Sequence, residues 1–533
     1  MNLPKVNLTE RNQDYAIFLP SISTFYNNYI AKQRANPGFI SPERMPDRFE
    51  NGVEGMNFLN EEAGYYTYKW GLYSAGHAQL NLAKADIDDA MVQQRDRSKT
   101  FMLCDSGGFQ IIKGVIQCDW DNFKTDDSLR QKILNWLEHT GDYSMILDIP
   151  TLAADPTFSG RTGITSFNQC LEFTDFNVNW FKKNRKYQTK YLNVMQGRNW
   201  AEAEHWYESM KHHDLEGFAF GGSAKNDINV VLRTLIKMRD DKQLERGKRD
   251  VLHYLGISRL EWAMAYTAIK RALREHVNSD IEVMFDCASP FLATANGTLY
   301  TQHIHKNDRF MYVMEKAMDD KRLSGSKKPF PWGSPIGDRL TLGDVCHYAP
   351  GELNKVGNEG KTSWDSFSYM LLMSHNVYQH IESVQRANAL TDIVTTSAKP
   401  DFRTWQKLNP KQAAQQQFDP YVPRNIVYMV NFIDELFRSE TPMSMLDEAA
   451  PMLAAFNGAK SLTTSTTSFN SLFDVEDPLL DTDVNEMDAE AEEAAESAEP
   501  PVPRVYIADF IMAQGRYDLQ FKRWIRDIFR GTF

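Results

Sequence analysis

Short apolar runs that each end on a polar residue or a glycine recur along the chain. Their end points lie between 25 and 48 residues apart, which leaves room for a strand, a loop and an amphipathic helix such as DINVVLRTLIKM (227–238) or LEWAMAYTAIKRAL (260–273). Repeated strand–helix units predict a parallel sheet, and six of them predict an α/β protein built on a (β/α)8 TIM barrel. The runs are FMLC before Asp105, YSMIL before Asp148, YLNVM before Gln196, GFAF before Gly221, HYL before Gly256 and EVMF before Asp286.

The polar residues that close these runs lie where a (β/α)8 barrel carries its active site, at the carboxyl ends of the strands. Taken singly, each has an ordinary structural interpretation. Asp105 in CDSGGFQ would cap a helix, Asp148 would be a buried strand-end carboxylate, and Gln196 would be a turn residue. Together they favour a functional site in which carboxylates, an amide and a Gly-Gly turn converge.

The pattern changes after about residue 400. Residues 1–400 are assigned to the barrel, and residues 401–456, which include NFIDELFR, are predicted to be a helical extension. Residues 457–503 have the composition of an acidic low-complexity linker. Residues 504–533 carry six basic and three acidic residues on an amphipathic pattern and are predicted to be a basic amphipathic tail.

Composition narrows the class of protein. The apolar and charged fractions, 42% and 24%, are those of a globular protein, and neither a membrane-spanning apolar run nor the apolar core of a signal peptide is present. We therefore expect a cytoplasmic protein with no membrane partner, whose five scattered cysteines are reduced. The net charge is −12, but residues 472–500 hold twelve acidic and no basic residues, so the rest of the chain is neutral and says little about polyanion binding.

The chemistry of the converging residues suits a purine. A carboxylate such as Asp148 accepts from the N1–H and N2–H₂ donors of guanine, whereas O6 and N7 need an amide such as Gln196 or a backbone N–H such as that of Gly222. Phe109 and Leu255 could sandwich the ring. Spacing alone does not lead to this assignment.

Six segments of the chain resemble the tRNA-guanine transglycosylase superfamily, between about Leu72 and Leu390. DSGGFQ and MFDC are the most specific, and DIPT, VMQGR, FAFGGSA and HYLGIS resemble the family's Asp-Glu-Cys-Thr, Val-Gln-Gly-Gly, Gly-Gly-Leu-Ala and Tyr-Leu-Met-Gly-Val. The resemblance implies base exchange through a covalent intermediate, with Asp286 as the nucleophile at C1′ and Asp105 as the base that takes the N9 proton of an incoming 7-deazaguanine. It implies substrate contacts from Ser106, Phe109, Asp148, Gln196, Gly221, Gly222, Ser223, Leu255 and His77.

The stretch after the nucleophile departs from the family. Where the tRNA enzymes carry two arginines that grip the anticodon loop, the uncharged loop predicted here has Leu292 and Ala295. This departure resembles the DNA-directed branch of the superfamily, found in phages and bacteria, so we expect exchange of guanine in DNA for a free base such as 7-cyano-7-deazaguanine, in the host cytoplasm if the protein is phage-encoded. A divergent enzyme acting on tRNA and a non-catalytic nucleic-acid-binding partner subunit are the alternatives.

A zinc-type subdomain is expected in degenerate form at about 325–375. MSHNVYQHIESVQRA resembles the family's His-Asn helix start, and the positions of the family's three cysteines hold Asp344, Cys346 and Ala349. His347 could replace the missing thiolate, so the resemblance implies zinc on Asp344, Cys346, His347 and His375, and no organic cofactor. A metal-free remnant held by packing is the alternative.

Two basic stretches could contact a nucleic-acid backbone. They are WFKKNRKYQTK (180–190) and KRLSGSKK (321–328), and ordinary solvated surface is the other interpretation of each. The sequence decides neither the deazaguanine, nor the DNA context, nor the oligomeric state.

Overall fold

Eight parallel strands form a barrel in the computed structural model, which describes residues 15–76, 91–306, 309–349, 353, 362–397, 400–405, 407 and 422–457. From β2 to β8 each strand pairs with the next one in the chain, and β1 pairs in parallel with β8. A bridge between Ser21 and Leu72 joins β1 to β2 and closes the barrel. The strands are β1 (Ile17–Pro20), β2 (Trp70–Ser74), β3 (Phe101–Asp105), β4 (Tyr143–Met145), β5 (Lys190–Met195), β6 (Gly217–Phe220), β7 (Val251–Tyr254) and β8 (Glu282–Cys287).

The predicted (β/α)8 barrel is thus confirmed. The six apolar runs correspond to β3 to β8, and the sequence missed β1 and β2. Helices lie between the strands, and their apolar faces pack into one core with the outward side chains of the barrel. The predicted helices DINVVLRTLIKM and LEWAMAYTAIKRAL are α7 (Ile228–Asp240) and α8 (Leu260–His276), and α7 begins where the Asp227 side chain accepts from the Asn229 N–H.

The α-helices, numbered in chain order, include one 32-residue helix, α11. They are α1 (Thr24–Ala35), α2 (Gly108–Lys113), α3 (Ser128–Thr140), α4 (Pro156–Thr162), α5 (Phe167–Asn184), α6 (Trp200–Met210), α7 (Ile228–Asp240), α8 (Leu260–His276), α9 (Ser289–Ala295), α10 (Leu342–Val345), α11 (Ser366–Ser397), α12 (Phe402–Trp405), α13 (Arg424–Arg438), α14 (Pro442–Glu448) and α15 (Ala450–Asn457). Short 3-10 helices occur at Gly52–Met56, Thr151–Ala154, Ser223–Asn226, Lys321–Leu323 and Gly337–Arg339. None of these described helices has both the length and the apolar character needed to cross a membrane.

The uncharged stretch after Asp286 is a buried helix and not the loop that the sequence suggested. All seven residues of α9 are buried, with Leu292 0% and Ala295 3% exposed, and the helix packs against α11 and the strand β9 (Thr298–Lys306). β9 forms an antiparallel hairpin with β10 (Arg309–Lys316). The stretch lacks charge because it lies in the core, where an arginine would be buried without a partner.

The stretch from 401 to 456, predicted to be a helical extension, contains α12 to α14 and most of α15. α13 packs on α8, and α14 and α15 pack on α7. The Asn457 side chain accepts from the N–H of Ile228 and donates to Asp227, so α15 ends beside the first turn of α7. Residues 458–503 of the predicted linker and the whole predicted tail lie outside the described residues.

Candidate active site

Polar side chains line the carboxyl ends of four neighbouring strands, β8, β1, β2 and β3. In that order they are Asp286, Ser21, Ser74 and Asp105, so each carboxylate has a serine on the adjacent strand. Ser21 Oγ donates to Asp286 Oδ2 at 2.5 Å, and Ser74 Oγ donates to Asp105 Oδ2 at 2.8 Å. The two carboxylates lie three strand spacings apart, about 14 Å along the curved sheet. Both therefore lie at the same opening of the barrel, which we call the mouth.

Asp286 is held by three hydrogen-bond donors. Besides Ser21 on Oδ2, His253 Nε2 at 3.0 Å and the N–H of Gly256 at 3.1 Å donate to Oδ1. The carboxylate is 6% exposed, so these bonds replace most of its hydration. Since a carboxylate only accepts, the Nε2 atom of His253 carries the proton, and His253 Nδ1 is buried without a hydrogen-bond partner among the described residues.

Asp105 lies in a more open setting at the end of β3. Its Oδ2 accepts from Ser74 and from the N–H of Gly107 at 3.2 Å, and its side chain is half-buried. Gly107 has φ +78°, a conformation that favours glycine, and α2 starts at the next residue. The turn at DSGG is therefore sharp enough to place the backbone N–H of Gly107 within hydrogen-bond distance of the Asp105 carboxylate.

Asp148 and Gln196 form a buried pair at the ends of β4 and β5. Gln196 Nε2 donates to Asp148 Oδ2 at 2.7 Å, and Gln196 Oε1 is buried without a hydrogen-bond partner in the described part of the chain. Burial raises the pKa of Asp148 to about 7, with a further contribution from the Asp105 carboxylate and an opposing one from the Gln196 hydrogen bond. Titration near neutral pH and an unused acceptor are both features of a binding site.

The Gly-Gly turn after β6 packs directly against this pair. A Cβ on Gly221 would lie 2.5 Å from Gln196 Nε2, and one on Gly222 would lie 2.5 Å from the carbonyl oxygen of Gly197. Gly222 also has φ +67° and ψ 175°, which is essentially a glycine-only conformation. The N–H of Gly221 already donates to the Met195 carbonyl, which leaves the N–H of Gly222 as the predicted backbone donor to a ligand.

The other predicted substrate residues have mixed positions. Ser106 is fully buried and its Oγ donates to the Ile146 carbonyl, which turns it away from a ligand. Phe109 and Leu255 are half-buried residues that follow β3 and β7, and Ser223 donates to the Arg198 carbonyl at 3.4 Å. His77 lies outside the described residues.

Sequence reasoning missed Ser21, Ser74 and His253. The serines follow strands that were not predicted, so nothing connected them with the carboxylates. His253 did carry a signal, because it is a histidine inside the apolar strand sequence VLHY and is 0% exposed. A buried histidine needs a polar partner, and a carboxylate at the end of the next strand supplies one.

The four residues predicted to hold zinc do not form a ligand set. Asp344 Oδ2 accepts from the N–H and Oγ1 of Thr341 in a capping box, and Cys346 Sγ donates to the Met318 carbonyl. Both nitrogens of His375 are engaged, Nδ1 with Ser334 Oγ at 2.8 Å and Nε2 with the Tyr300 carbonyl at 2.9 Å. Neither of the two groups of metal-ligating side chains found among the described residues includes any of the four, His347 included. The donors present do not fit a zinc ion here.

The first basic stretch lies on the wrong face of the barrel to meet a nucleic acid at the mouth. Residues 180–190 run from the end of α5 to the start of β5, at the amino ends of the strands. In the second stretch, Arg322 pairs with Asp320 and Lys327 with Asp47. A backbone contact from residues 180–190 would therefore lie on the opposite face of the barrel from a base bound at Asp286.

The fold and the mouth define a (β/α)8 barrel with three carboxylates and an amide at the carboxyl ends of its strands. No protein-family model and no curated protein matches the chain. The resemblance to transglycosylases therefore rests on the motifs quoted above.

Proposed function

We propose that the protein is a base-exchange enzyme, a guanine/7-deazaguanine transglycosylase. It would replace guanine in DNA by a 7-deazaguanine, such as 7-cyano-7-deazaguanine, through a covalent intermediate on Asp286. The observation that carries the proposal is the Asp286 carboxylate itself, buried at the mouth with three donors on it. Asp105 and the Asp148–Gln196 pair at the same end of the barrel support it.

The hydrogen bonds suggest which oxygen attacks. Oδ1 accepts two hydrogen bonds and Oδ2 accepts one, and each carboxylate oxygen has two lone pairs. Oδ2 therefore keeps a lone pair for the anomeric carbon while Ser21 fixes its direction. Since an exchange enzyme must also release its nucleophile, donors on the carboxylate help the second half of the reaction, because they stabilise the negative charge that returns to Asp286.

In the proposed reaction, Asp286 Oδ2 forms a bond to C1′ while the bond from C1′ to guanine N9 breaks, and guanine takes up a proton. The incoming base then loses its N9 proton to Asp105, N9 attacks C1′, and the bond to Asp286 breaks. Solvent supplies the proton that guanine takes up, and Asp105 returns the N9 proton of the incoming base to solvent, so the exchange is balanced. Two attacks on opposite faces of C1′ retain the anomeric configuration.

Asp148 and Gln196 are the proposed contacts to the base. An ionised Asp148 would accept from the N1–H and N2–H₂ groups that guanine and 7-deazaguanines share, and the Gln196 amide is already in place beside it. The glycines at 221 and 222 let this turn pack directly against Gln196 and Gly197, where any Cβ would collide, and so help to hold the Gln196 amide in place for the base.

The preference for DNA rests on the family resemblance. Leu292 and Ala295 stand where tRNA enzymes carry arginines, and both are in the core, so α9 offers no cationic contact to a flanking base. Exchange in tRNA would mean that the substrate is tRNA and would overturn the proposed preference for DNA.

The test incubates the full chain separately with DNA and with tRNA, each with a labelled 7-deazaguanine. We expect label in DNA and a covalent protein–DNA adduct on a denaturing gel, both lost in Asp286→Asn. Label in tRNA alone would refute the DNA preference. Exchange that survives in Asp286→Asn would refute the mechanism. If wild-type protein gives neither labelled nucleic acid nor a covalent adduct, the proposal that it is a base-exchange enzyme is refuted.

A further inference from the structure

Two adjacent histidines and an aspartate form a second polar cluster, far from the mouth. His212 and His213 lie between the end of α6 and the start of β6, and Asp175 lies midway along α5. The cluster is therefore at the amino-end face of the barrel, opposite the mouth. Neither the transglycosylase motifs nor the proposed reaction uses these residues.

The potential ligand atoms of this cluster converge. His213 Nε2 lies 2.7 Å and His212 Nε2 lies 4.0 Å from Asp175 Oδ1, and all three atoms are within 4.8 Å of one another. Ligands of a tetrahedral zinc ion at about 2.0–2.2 Å stand about 3.3 Å apart, between the two distances seen here. We infer that Asp175, His212 and His213 bind a divalent transition-metal ion of the zinc type, with solvent completing the coordination.

Two of the ligands are held by surrounding groups. The His213 side chain is 1% exposed. The backbone N–H of His213 donates to the Met210 carbonyl, and its backbone carbonyl accepts from Arg249. Asn179 Nδ2 donates to Asp175 Oδ2 at 3.1 Å, which orients the carboxylate so that Oδ1 meets the histidines. His212 is 64% exposed and gives the ion a route from solvent.

The local electrostatics are compatible with a bound cation. The neutral imidazole is the form that binds a metal ion, and the ring of His213 is buried. Lys182 and Arg249 bring positive charge near the ring, and Asp175 and Asp214 offset it. Two imidazoles and one carboxylate favour zinc over the harder ions magnesium and calcium.

A second group, Glu275, His276 and Asp434, provides an internal comparison. It has one imidazole and two carboxylates, and His276 Nε2 stands 3.4 Å from Asp434 Oδ1. A set dominated by carboxylates is the poorer zinc site. An ion at the first cluster would join α5 to the connection before β6, so it would stabilise the fold and take no part in chemistry at the mouth.

The experiment measures zinc bound per chain in tag-free full-length protein, with excess magnesium present to occupy other carboxylates. We expect one zinc ion per chain and an unfolding midpoint that rises with zinc concentration. Both effects should be lost in His212→Ala and Asp175→Asn and kept in the matched control His276→Ala. His212 is exposed, so its replacement should leave the midpoint without zinc unchanged. Wild-type protein that binds no zinc, His212→Ala that keeps it, or loss of zinc in His347→Ala instead would each overturn the inference.

Discussion

Replacing His253 by phenylalanine would remove one of the three donors on the proposed nucleophile and keep a buried ring in its place. A hydrogen bond to a charged group contributes about 1.5–3 kcal/mol, which corresponds to about 10- to 150-fold in a rate. The slowed step should be the departure of Asp286 from the sugar, since the returning charge loses a donor at 3.0 Å. We therefore expect the overall exchange to fall by this factor while the fraction of protein trapped as covalent adduct rises.

Single-turnover exchange and quantitative denaturing gels measure the two quantities separately. His253→Gln, which restores a neutral donor, should recover part of the rate. His380→Phe is the matched control, because His380 is also a buried histidine but contacts Cys287 and Tyr312. An exchange rate within about twofold of wild type in His253→Phe, or a glutamine variant as slow as the phenylalanine one, would refute the role of His253 as a positioning residue.

Four further predictions follow from named contacts. Burial raises the pKa of Asp148 to about 7, and its ionised form is the proposed acceptor for guanine. Affinity for the free base should therefore fall as the pH drops below about 7, and Asp148→Asn should abolish that dependence in a titration of base binding. Gly222→Ala should abolish base binding and lower the free energy of unfolding in denaturant by about 1–3 kcal/mol. The reason is that φ +67° is unfavourable for alanine and the new Cβ would collide with the Gly197 oxygen. Unchanged base binding would contradict the proposed role of this turn. Leu292→Arg should destabilise the fold by several kcal/mol and give no gain in tRNA binding, which a filter assay on folded protein checks. Arg44→Met should cost about 3–5 kcal/mol in urea unfolding, because it leaves the buried carboxylate of Asp365 unpaired, whereas the double change with Asp365→Leu should recover much of that loss.

The strands that the sequence predicted and those it missed differ in a physical way. β3 to β8 were found because apolar runs of ordinary strand length ended on a residue that turns the chain. β1 ends on Pro20 and β2 contains Gly71, and both residue types lower strand propensity. Their strand conformation depends on pairing with β8 and β3, which is a tertiary contact that no local window contains.

The residues of the candidate site could be predicted from the sequence, but the hydrogen bonds between them could not. Strand ends identified Asp105, Asp148, Gln196 and Asp286 without any coordinates. The bonds between strands depend on register, which aligns Leu19 with Asp286 and so brings Ser21, two residues on, up to the carboxylate. The residues predicted to bind zinc do not form a ligand set, because contacts within the fold decide this as well. Residue types alone do not show that both nitrogens of His375 already have partners.

Ser21 contributes both to the closure of the barrel and to the orientation of Asp286. Its backbone makes the bridge to Leu72 that joins β1 to β2, and its hydroxyl orients Asp286. The β1–β2 seam also separates Asp286 and Ser21 from Ser74 and Asp105, so the proposed nucleophile and base stand on opposite sides of the place where the sheet closes. Neighbouring strands elsewhere in the sheet share ladders of two or more registered pairs, while this seam has one bridge in the described residues. Loosening the seam would therefore change the direction of Asp286 Oδ2 and its separation from Asp105 before it unfolded the barrel. The orientation of Asp286 is then the property most sensitive to changes in β1 and β2.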